Sequence, residues 1–247
     1  MIYLIRGTFT RVIGEMKRYL LNLFSSIIIF LIIFLLIALG FKNFGQGQSL
    51  SFRNTAVGYF VWMSVMMNLT DLSWTIMNDM QRGIIEQVFI SPFGPLVVYT
   101  TYEILMLIIE LPIVYGMMVL IFSIAGMSIS VHPSFFYFLI IAMLQSLGIG
   151  YILAGVTLKY KRTQALLNLA QFALIGLLFV NTNKWTMTFV PIAPHFRAMS
   201  TASEGASPSW EYFAVSTLGT IIYIAVGIYI FSLFAKSTLK RGELSMY

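Results

Sequence analysis

Long unbroken apolar runs constrain this chain more than any other feature of its sequence. Between residues 21 and 41 the only polar side chains are Asn22, Ser25 and Ser26. A run of about 20 apolar residues matches the hydrocarbon core of a bilayer. The whole chain is 59% hydrophobic and 10% charged, which leaves too few charged residues to cover a soluble domain of 247 residues. Since the runs are continuous and do not alternate in polarity, they predict an all-α integral membrane protein and exclude a barrel.

Six membrane spans are predicted, at residues 21–41, 56–77, 96–124, 135–158, 165–181 and 212–234. The third is long enough to be tilted or broken, and Pro112 within it is a candidate kink. The first 20 residues do not fit a cleaved signal peptide, because Glu15 lies among the basic residues and no small-x-small site follows the apolar run. We therefore expect the first span to be retained.

The basic residues predict the orientation. Sorted by the connections between spans, eleven fall on one side: Arg6, Arg11, Lys17, Arg18, Arg82, Lys159, Lys161, Arg162, Lys236, Lys240 and Arg241. Four fall on the other side: Lys42, Arg53, Lys184 and Arg197. Because basic loops stay in the cytoplasm, both termini are expected there, in a multi-pass protein of the cell membrane. This distribution also accounts for the net charge of +6 without a nucleic-acid partner.

Residues 1–20 show a helical apolar pattern. Apolar side chains recur at steps of three or four, with basic residues on the other faces: Ile2, Ile5, Phe9, Val12, Ile13, Met16 and Leu20. The pattern predicts an amphipathic helix that lies along the inner leaflet. The alternative is a simple cytoplasmic extension of the first span.

The segment "DMQRGIIEQVFISP", residues 79–92, interrupts the apolar sequence between the second and third predicted spans. Met80, Ile84 and Val88 are spaced by four, which predicts a short amphipathic helix that ends at Ser91-Pro92. A helix of about three turns has little stability by itself and must pack against something. Its apolar face is expected to meet a partner protein, or to lie on the bilayer or on the chain's own helix ends. Arg82 and Glu86 are also spaced to pair with each other.

The run "NDMQRGIIEQVFISP", residues 78–92, resembles the signature in the first cytoplasmic loop of ABC-2-type exporter permeases. "PIAPHFRAM", residues 191–199, is similar to the proline-containing stretch before the sixth helix of that family. The resemblance implies a single transmembrane domain over residues 1–247, with an interfacial helix at 1–20, a coupling helix at 78–92 and an outer segment at 182–211. It also implies that the coupling helix seats in a separate ATP-binding subunit. The positions that match the motif are Asp79, Arg82, Gly83, Glu86, Gln87, Ser91 and Pro92.

The sequence lacks the motif of an ATP-hydrolysing subunit. No Gly-Lys dipeptide occurs, so the phosphate-binding motif GxxxxGK[ST] is absent. ATP and magnesium are therefore expected on a partner subunit. With no cysteine and two distant histidines, His132 and His195, we expect neither a catalytic site nor a metal site.

Several polar side chains fall inside the predicted spans, where ionisable groups usually face a protein interior or a wet cavity. The candidates for a translocation path are Asp71, Glu103, Glu110, Asn168 and Gln171. The alternative for Asp71 and Glu103 is that they lie near the cytoplasmic ends, solvated or paired with Lys159, Lys161 or Arg162. Asn168, Gln171 and Gln145 are also candidates for hydrogen bonds between helices. Ser146, Gly150 and Ala154 form a small-residue stripe that predicts close helix packing.

The segment 182–211 is too long for a tight turn and too broken to span. The resemblance implies short helices that dip into the outer leaflet and cap a pathway. The outer-gate candidates are Pro191, Pro194, His195 and Arg197. His195 and Arg197 are expected either to meet anionic head groups or to lie in a solvated loop.

Three functions from different classes are considered. The first is the permease subunit of an ATP-driven exporter, which pairs with an ATPase subunit and with a second permease, identical or paralogous, and moves a hydrophobic or amphipathic molecule such as a drug, antibiotic or lipid. The second is a secondary transporter that uses the intramembrane carboxylates as an ion or proton relay. The lack of an internal repeat argues against the second. The third is a membrane-embedded enzyme, for which the chain offers poor catalytic candidates.

Overall fold

The computed structural model describes residues 1–44, 52–127, 131–178 and 190–241. In these ranges the chain is helical and contains no strand. The helices are α1 (Ile2–Arg18), α2 (Leu20–Phe44), α3 (Phe52–Gln81), α4 (Ile85–Ile90), α5 (Gly94–Ile124), α6 (Ser134–Tyr160), α7 (Gln164–Leu178), α8 (Ala193–Ser203) and α9 (Trp210–Arg241).

The predicted spans coincide with helices. Those at 21–41, 56–77, 96–124, 135–158 and 212–234 fall within α2, α3, α5, α6 and α9, and 165–178 falls within α7. Residues 179–181 of the fifth span and 182–189 of the outer segment lie outside the described residues. Within the described ranges, four helices are long and apolar enough to cross a membrane: Leu20–Gly40, Gly94–Ile124, Ser134–Tyr160 and Trp210–Lys240. These features confirm a helical membrane protein. Pro112 lies within α5, which continues through it.

Helix α6 is the centre of the bundle and packs against both α3 and α9. A Cβ on Gly150 would lie 2.9 Å from the Leu69 carbonyl oxygen of α3, and one on Gly227 of α9 would overlap the Gly148 carbonyl oxygen. Neither position has room for a side chain. Gly150, from the predicted stripe, therefore allows close backbone contact with α3, and Gly148, outside that stripe, allows the same with α9.

The two ends of the bundle are built differently. We call them the α4 end, which contains α1 and α4, and the α8 end. At the α8 end, the His132 amide donates to the Ala202 carbonyl at 3.0 Å, and Ser200 Oγ donates to Asn54 Oδ1 at 2.8 Å. These bonds fix α8 across the starts of α6 and α3. At the α4 end, α1 packs against α5.

Helix α2 has the least burial among the four candidate spans. Tyr59 of α3 donates a hydrogen bond to the Phe30 carbonyl of α2 at 2.6 Å, while Phe24, Ile28 and Leu36 are exposed. An apolar helix with so much exposed side-chain area is suited to contact with lipid or with another membrane helix.

Candidate functional site

The turn between α3 and α4 is fixed by Gly83. Its φ of 68° lies in the left-handed region, which a residue without Cβ adopts at no steric cost. The Ile84 amide donates to the Asp79 carbonyl at 2.9 Å, and the Gly83 amide donates to the Met80 carbonyl at 3.3 Å, which is the Schellman arrangement at the end of a helix. The prediction of one helix across this segment is therefore wrong in its bounds. Residues 78–81 form the last turn of α3, and the separate helix is Ile85–Ile90.

The apolar face of α4 packs on the protein's own helix ends. Ile85, Val88 and Phe89 are buried. They belong to a cluster with side chains of α3, α5, α6 and α9: Leu72, Ile76, Met80, Tyr99, Tyr151, Ala154, Leu158, Phe231 and Ala235. Of the three predicted surroundings for this face, the structure selects the chain's own helices. Helix α4 is consequently held firmly at the junction of α3 and α5.

The opposite face of α4 is exposed. Glu86 and Gln87 extend outward, and Ile90 is 82% exposed. The following turn exposes Pro92, while the Phe93 amide donates to Ser91 Oγ at 3.3 Å. A charged side chain, an amide and a bare apolar side chain thus share one small rigid surface. We call Arg82, Gly83, Glu86, Gln87, Ile90 and Pro92 the α4 surface.

Asp79, the first residue of the matched motif, is buried and is 0% exposed. Arg11 of α1 forms a bidentate contact with it, with Nη2 to Oδ1 at 2.7 Å and Nη1 to Oδ2 at 3.2 Å. Tyr99 of α5 donates its hydroxyl to Oδ2 at 3.2 Å. Burial raises the pKa of the Asp79 carboxyl above its ordinary value, and the charge and hydrogen bonds of Arg11 oppose that rise. Asp79 therefore joins α1, α3 and α5 and does not lie on the α4 surface.

Glu15 of α1 extends this ionic network. Its Oε1 accepts from Arg11 Nε at 3.1 Å, and its Oε2 accepts from the Tyr102 hydroxyl at 2.8 Å. Arg82 lies 3.7 Å from Glu15 and donates to the Tyr19 hydroxyl at 2.8 Å. The predicted Arg82–Glu86 pair is thus replaced by contacts between Arg82 and α1. The sequence did not predict that Asp79 has partners in α1 and α5. The available signal was that an acidic residue beside an apolar face needs a counter-charge.

Three acidic side chains, Asp71 of α3 with Glu103 and Glu110 of α5, lie near one another between the two helices. Glu103 is 2% exposed, and Glu110 is buried and hydrogen-bonded to Asn68. Asp71 lies within electrostatic reach of both. Among the described residues, Asp71 Oδ2, Glu103 Oε1 and Glu110 Oε2 are buried and have no hydrogen-bond partner. The structure therefore brings three of the five path candidates together.

The other two path candidates are on α7. Gln171 Nε2 donates to Thr70 Oγ1 of α3 at 2.8 Å, which confirms a predicted bond between helices. Asn168 is exposed on the described chain. Gln145 Oε1 accepts from the Ile192 amide at 2.9 Å, which joins α6 to the start of α8.

Helix α8 contains most of the predicted outer-gate residues. Pro191 precedes it, Pro194 lies in its first turn, and Arg197 is half-buried. His195 is 0% exposed, with Nε2 3.5 Å from Thr220 Oγ1 of α9. Contact between His195 and lipid head groups or solvent was predicted, and the burial of its ring in the bundle contradicts it.

We expect His195 to make the protein less stable in acid. Burial lowers the pKa of its imidazole from 6.5 to about 3, so protonation favours the unfolded chain. The stabilisation is full above pH 6.5 and is lost progressively as pH falls toward 3. Between about pH 7.5 and pH 5 the free energy of unfolding should fall by about 2 kcal/mol from this group.

Thermal unfolding in detergent across this pH range measures the effect. In the His195→Gln variant the unfolding temperature should depend less on pH than in the wild type. His132 is half-buried, and the His132→Gln control should keep the wild-type pH dependence. Equal slopes for His195→Gln and the wild type would contradict the prediction.

The described residues contain no group of three acidic, histidine or cysteine side chains placed to hold a metal ion. In comparisons with known proteins, the chain matches no family model, no curated protein and no solved structure. The resemblance to exporter permeases therefore rests on the residues of the two motif segments, 78–92 and 191–199, and on the order of the helices.

Proposed function

We propose that this protein is the membrane-spanning permease subunit of an ATP-driven exporter, with the α4 surface as the docking site for a separate ATPase subunit. The observation that carries the proposal is the way in which α4 packs on the bundle. Its apolar face is fixed to α3 and α5, while its exposed face presents Glu86, Gln87 and Ile90. A rigid projection that joins two long helices is suited to transmit movement from a partner into the bundle.

The proposed topology has six spans, with the α4 end in the cytoplasm. Helix α3 has 30 residues and a length of about 45 Å, which exceeds the hydrocarbon core, although Asn68 and Asp71 lower its hydropathy. The described part of α7 has 15 residues and a length of about 22 Å. Both termini then lie on the cytoplasmic side, with the basic residues of α1 beside the inner leaflet.

Two permeases and two ATPases form the proposed transporter. The exposed apolar faces of α2 and α5 are available to lipid or to a second permease copy, identical or paralogous. ATP and magnesium belong to the ATPase, and this chain supplies the pathway for a hydrophobic or amphipathic molecule.

The secondary-transporter alternative is kept for one observation, which is the unpartnered carboxylate oxygens of Asp71, Glu103 and Glu110. Transport that continues after all three are replaced by amides, Asp71→Asn with Glu103→Gln and Glu110→Gln, would eliminate this alternative. If wild-type transport does not depend on ATP and the triple variant does not transport, the secondary transporter is favoured over the exporter.

Charge reversal at Glu86 tests the docking proposal. The chain is co-expressed with the products of its neighbouring genes and purified through its own tag, and the co-purified fraction is assayed for an ATPase subunit. We expect Glu86→Lys to reduce the co-purified ATPase about tenfold, because a charge that faces the partner becomes repulsive. Glu204→Lys is the matched control, since Glu204 is also exposed but follows α8 at the other end. Normal ATPase recovery and transport with Glu86→Lys would contradict a docking role for this surface.

A further inference from the structure

A cavity of about 240 Å³ lies between α1, α2, α3 and α5, just inside the α4 end. Leu23, Trp74, Tyr102 and Met106 give it aromatic and apolar surface. Uncharged polar side chains also line it: Asn22, Ser26, Thr75 and Asn78. The Asp71 carboxylate also lines it, with its buried Oδ2 left without a hydrogen-bond partner among the described residues. The cavity therefore combines an acidic side chain with aromatic and apolar surface.

Among the charged side chains that line the cavity, Asp71 is the one without an ion pair to the described residues. Arg11 and Arg82 line it, but Arg11 is paired with Asp79 and Glu15, and Arg82 contacts Glu15. Both arginines are thus paired with carboxylates other than Asp71. A buried anion without compensation is strongly unfavourable, which makes the site receptive to a positive charge from outside.

The lining selects the kind of cation. A bare metal ion needs several oxygen ligands, and the described part of the chain offers no such group. Aromatic rings, in contrast, attract a diffuse organic cation through their electron-rich faces. Trp74 provides such a ring beside Asp71, whereas the Tyr102 ring already has the Arg11 guanidinium 5.0 Å from its centroid. Met106 and Leu23 provide apolar surface for the remainder of a ligand.

We infer that this cavity binds a lipophilic organic cation, with its positive charge at Asp71 and its apolar body against Trp74 and Tyr102. The inference rests on the proposed function, because it makes such cations the substrate class of the exporter and the cavity their entry site. It narrows the expected hydrophobic or amphipathic cargo to molecules that carry a positive charge.

Equilibrium dialysis of the purified full chain in detergent micelles tests the inference with phenyltrimethylammonium as the probe. The neutral isostere tert-butylbenzene is the matched ligand control. We expect saturable binding of the cation and no saturable binding of the isostere. Asp71→Asn, which keeps the shape of the side chain, should raise the Kd about tenfold. Trp74→Ala should raise it about threefold or more. Glu204→Gln removes an exposed carboxylate at the other end of the bundle and should leave the Kd unchanged.

Absence of saturable cation binding, equal binding of the isostere, or an unchanged Kd in Asp71→Asn would each overturn the inference. Size-exclusion profiles establish that each variant is folded. If Asp71→Asn does not fold, Trp74→Ala decides the matter, and an unchanged Kd there overturns the inference. Since the dialysis contains no ATPase, its result is independent of Glu86→Lys. If an ATPase co-purifies normally but the cation does not bind, only the proposed cation site is contradicted. If the cation binds but no ATPase co-purifies, only the proposed exporter function is contradicted.

Discussion

Replacement of Arg11 by methionine should lower the free energy of unfolding by about 3–5 kcal/mol, because it leaves a buried carboxylate without its counter-charge. Asp79 is 0% exposed, and Tyr99 would be its only remaining side-chain hydrogen-bond donor within the described part of the chain. Methionine keeps much of the length and packing of the arginine stem, so the change removes mainly the charge. Thermal unfolding of the purified chain in detergent measures the loss.

Two further variants separate the ion pair from general effects on α1. Arg18→Met removes an exposed basic residue of the same helix and should change stability little. The double variant Arg11→Met with Asp79→Asn no longer buries an unpaired charge and should recover much of the loss. If the double variant is as unstable as the sum of the two single variants, Asp79 and Arg11 do not act as a pair.

Replacement of Gly227 by alanine should cause the other large loss, because the two central helices then cannot keep their spacing. The new Cβ would overlap the Gly148 carbonyl oxygen, and a backbone atom cannot rotate away as a side chain can. Overpacking of this kind costs about 1–3 kcal/mol and occasionally more. We expect a lower unfolding temperature and a smaller monodisperse fraction in size-exclusion chromatography.

Gly116→Ala is the matched control, since Gly116 also lies inside a long apolar helix, but a Cβ added there would meet no atom of the described residues within 4 Å. At that position the alanine should be neutral or should stabilise α5 by up to about 1 kcal/mol through helix propensity. Equal effects at the two glycines would show that the close contact between α6 and α9 does not determine stability.

The apolar pattern predicted most of the helices, because each long run requires internal backbone hydrogen bonding in a membrane. It failed in detail between α3 and α4. The spacing of Met80, Ile84 and Val88 fits one continuous helix, yet the left-handed conformation of Gly83 ends α3 before Ile84. All three side chains still face the protein, so the correct burial was predicted from the wrong helix bounds.

Contacts between distant residues were beyond the reach of the sequence. Arg11 and Asp79 are 68 residues apart, and no local pattern specifies their pairing. The motif marked Asp79 as a contact for a partner, whereas its burial makes it part of the support beneath the α4 surface. His195 was misplaced for a similar reason, since its environment depends on Thr220 of α9.

The pairing of Arg11 with Asp79 has a consequence for biogenesis. A chain that emerges from the ribosome N-terminus first exposes α1 long before residue 79 has been made. During that interval α1 has only its internal Glu15 contact, and its apolar stripe must be sheltered by the bilayer surface. The Arg11–Asp79 ion pair forms only after α3 has been inserted. Correct placement of α3 is therefore a precondition for anchoring α1, which was synthesised first.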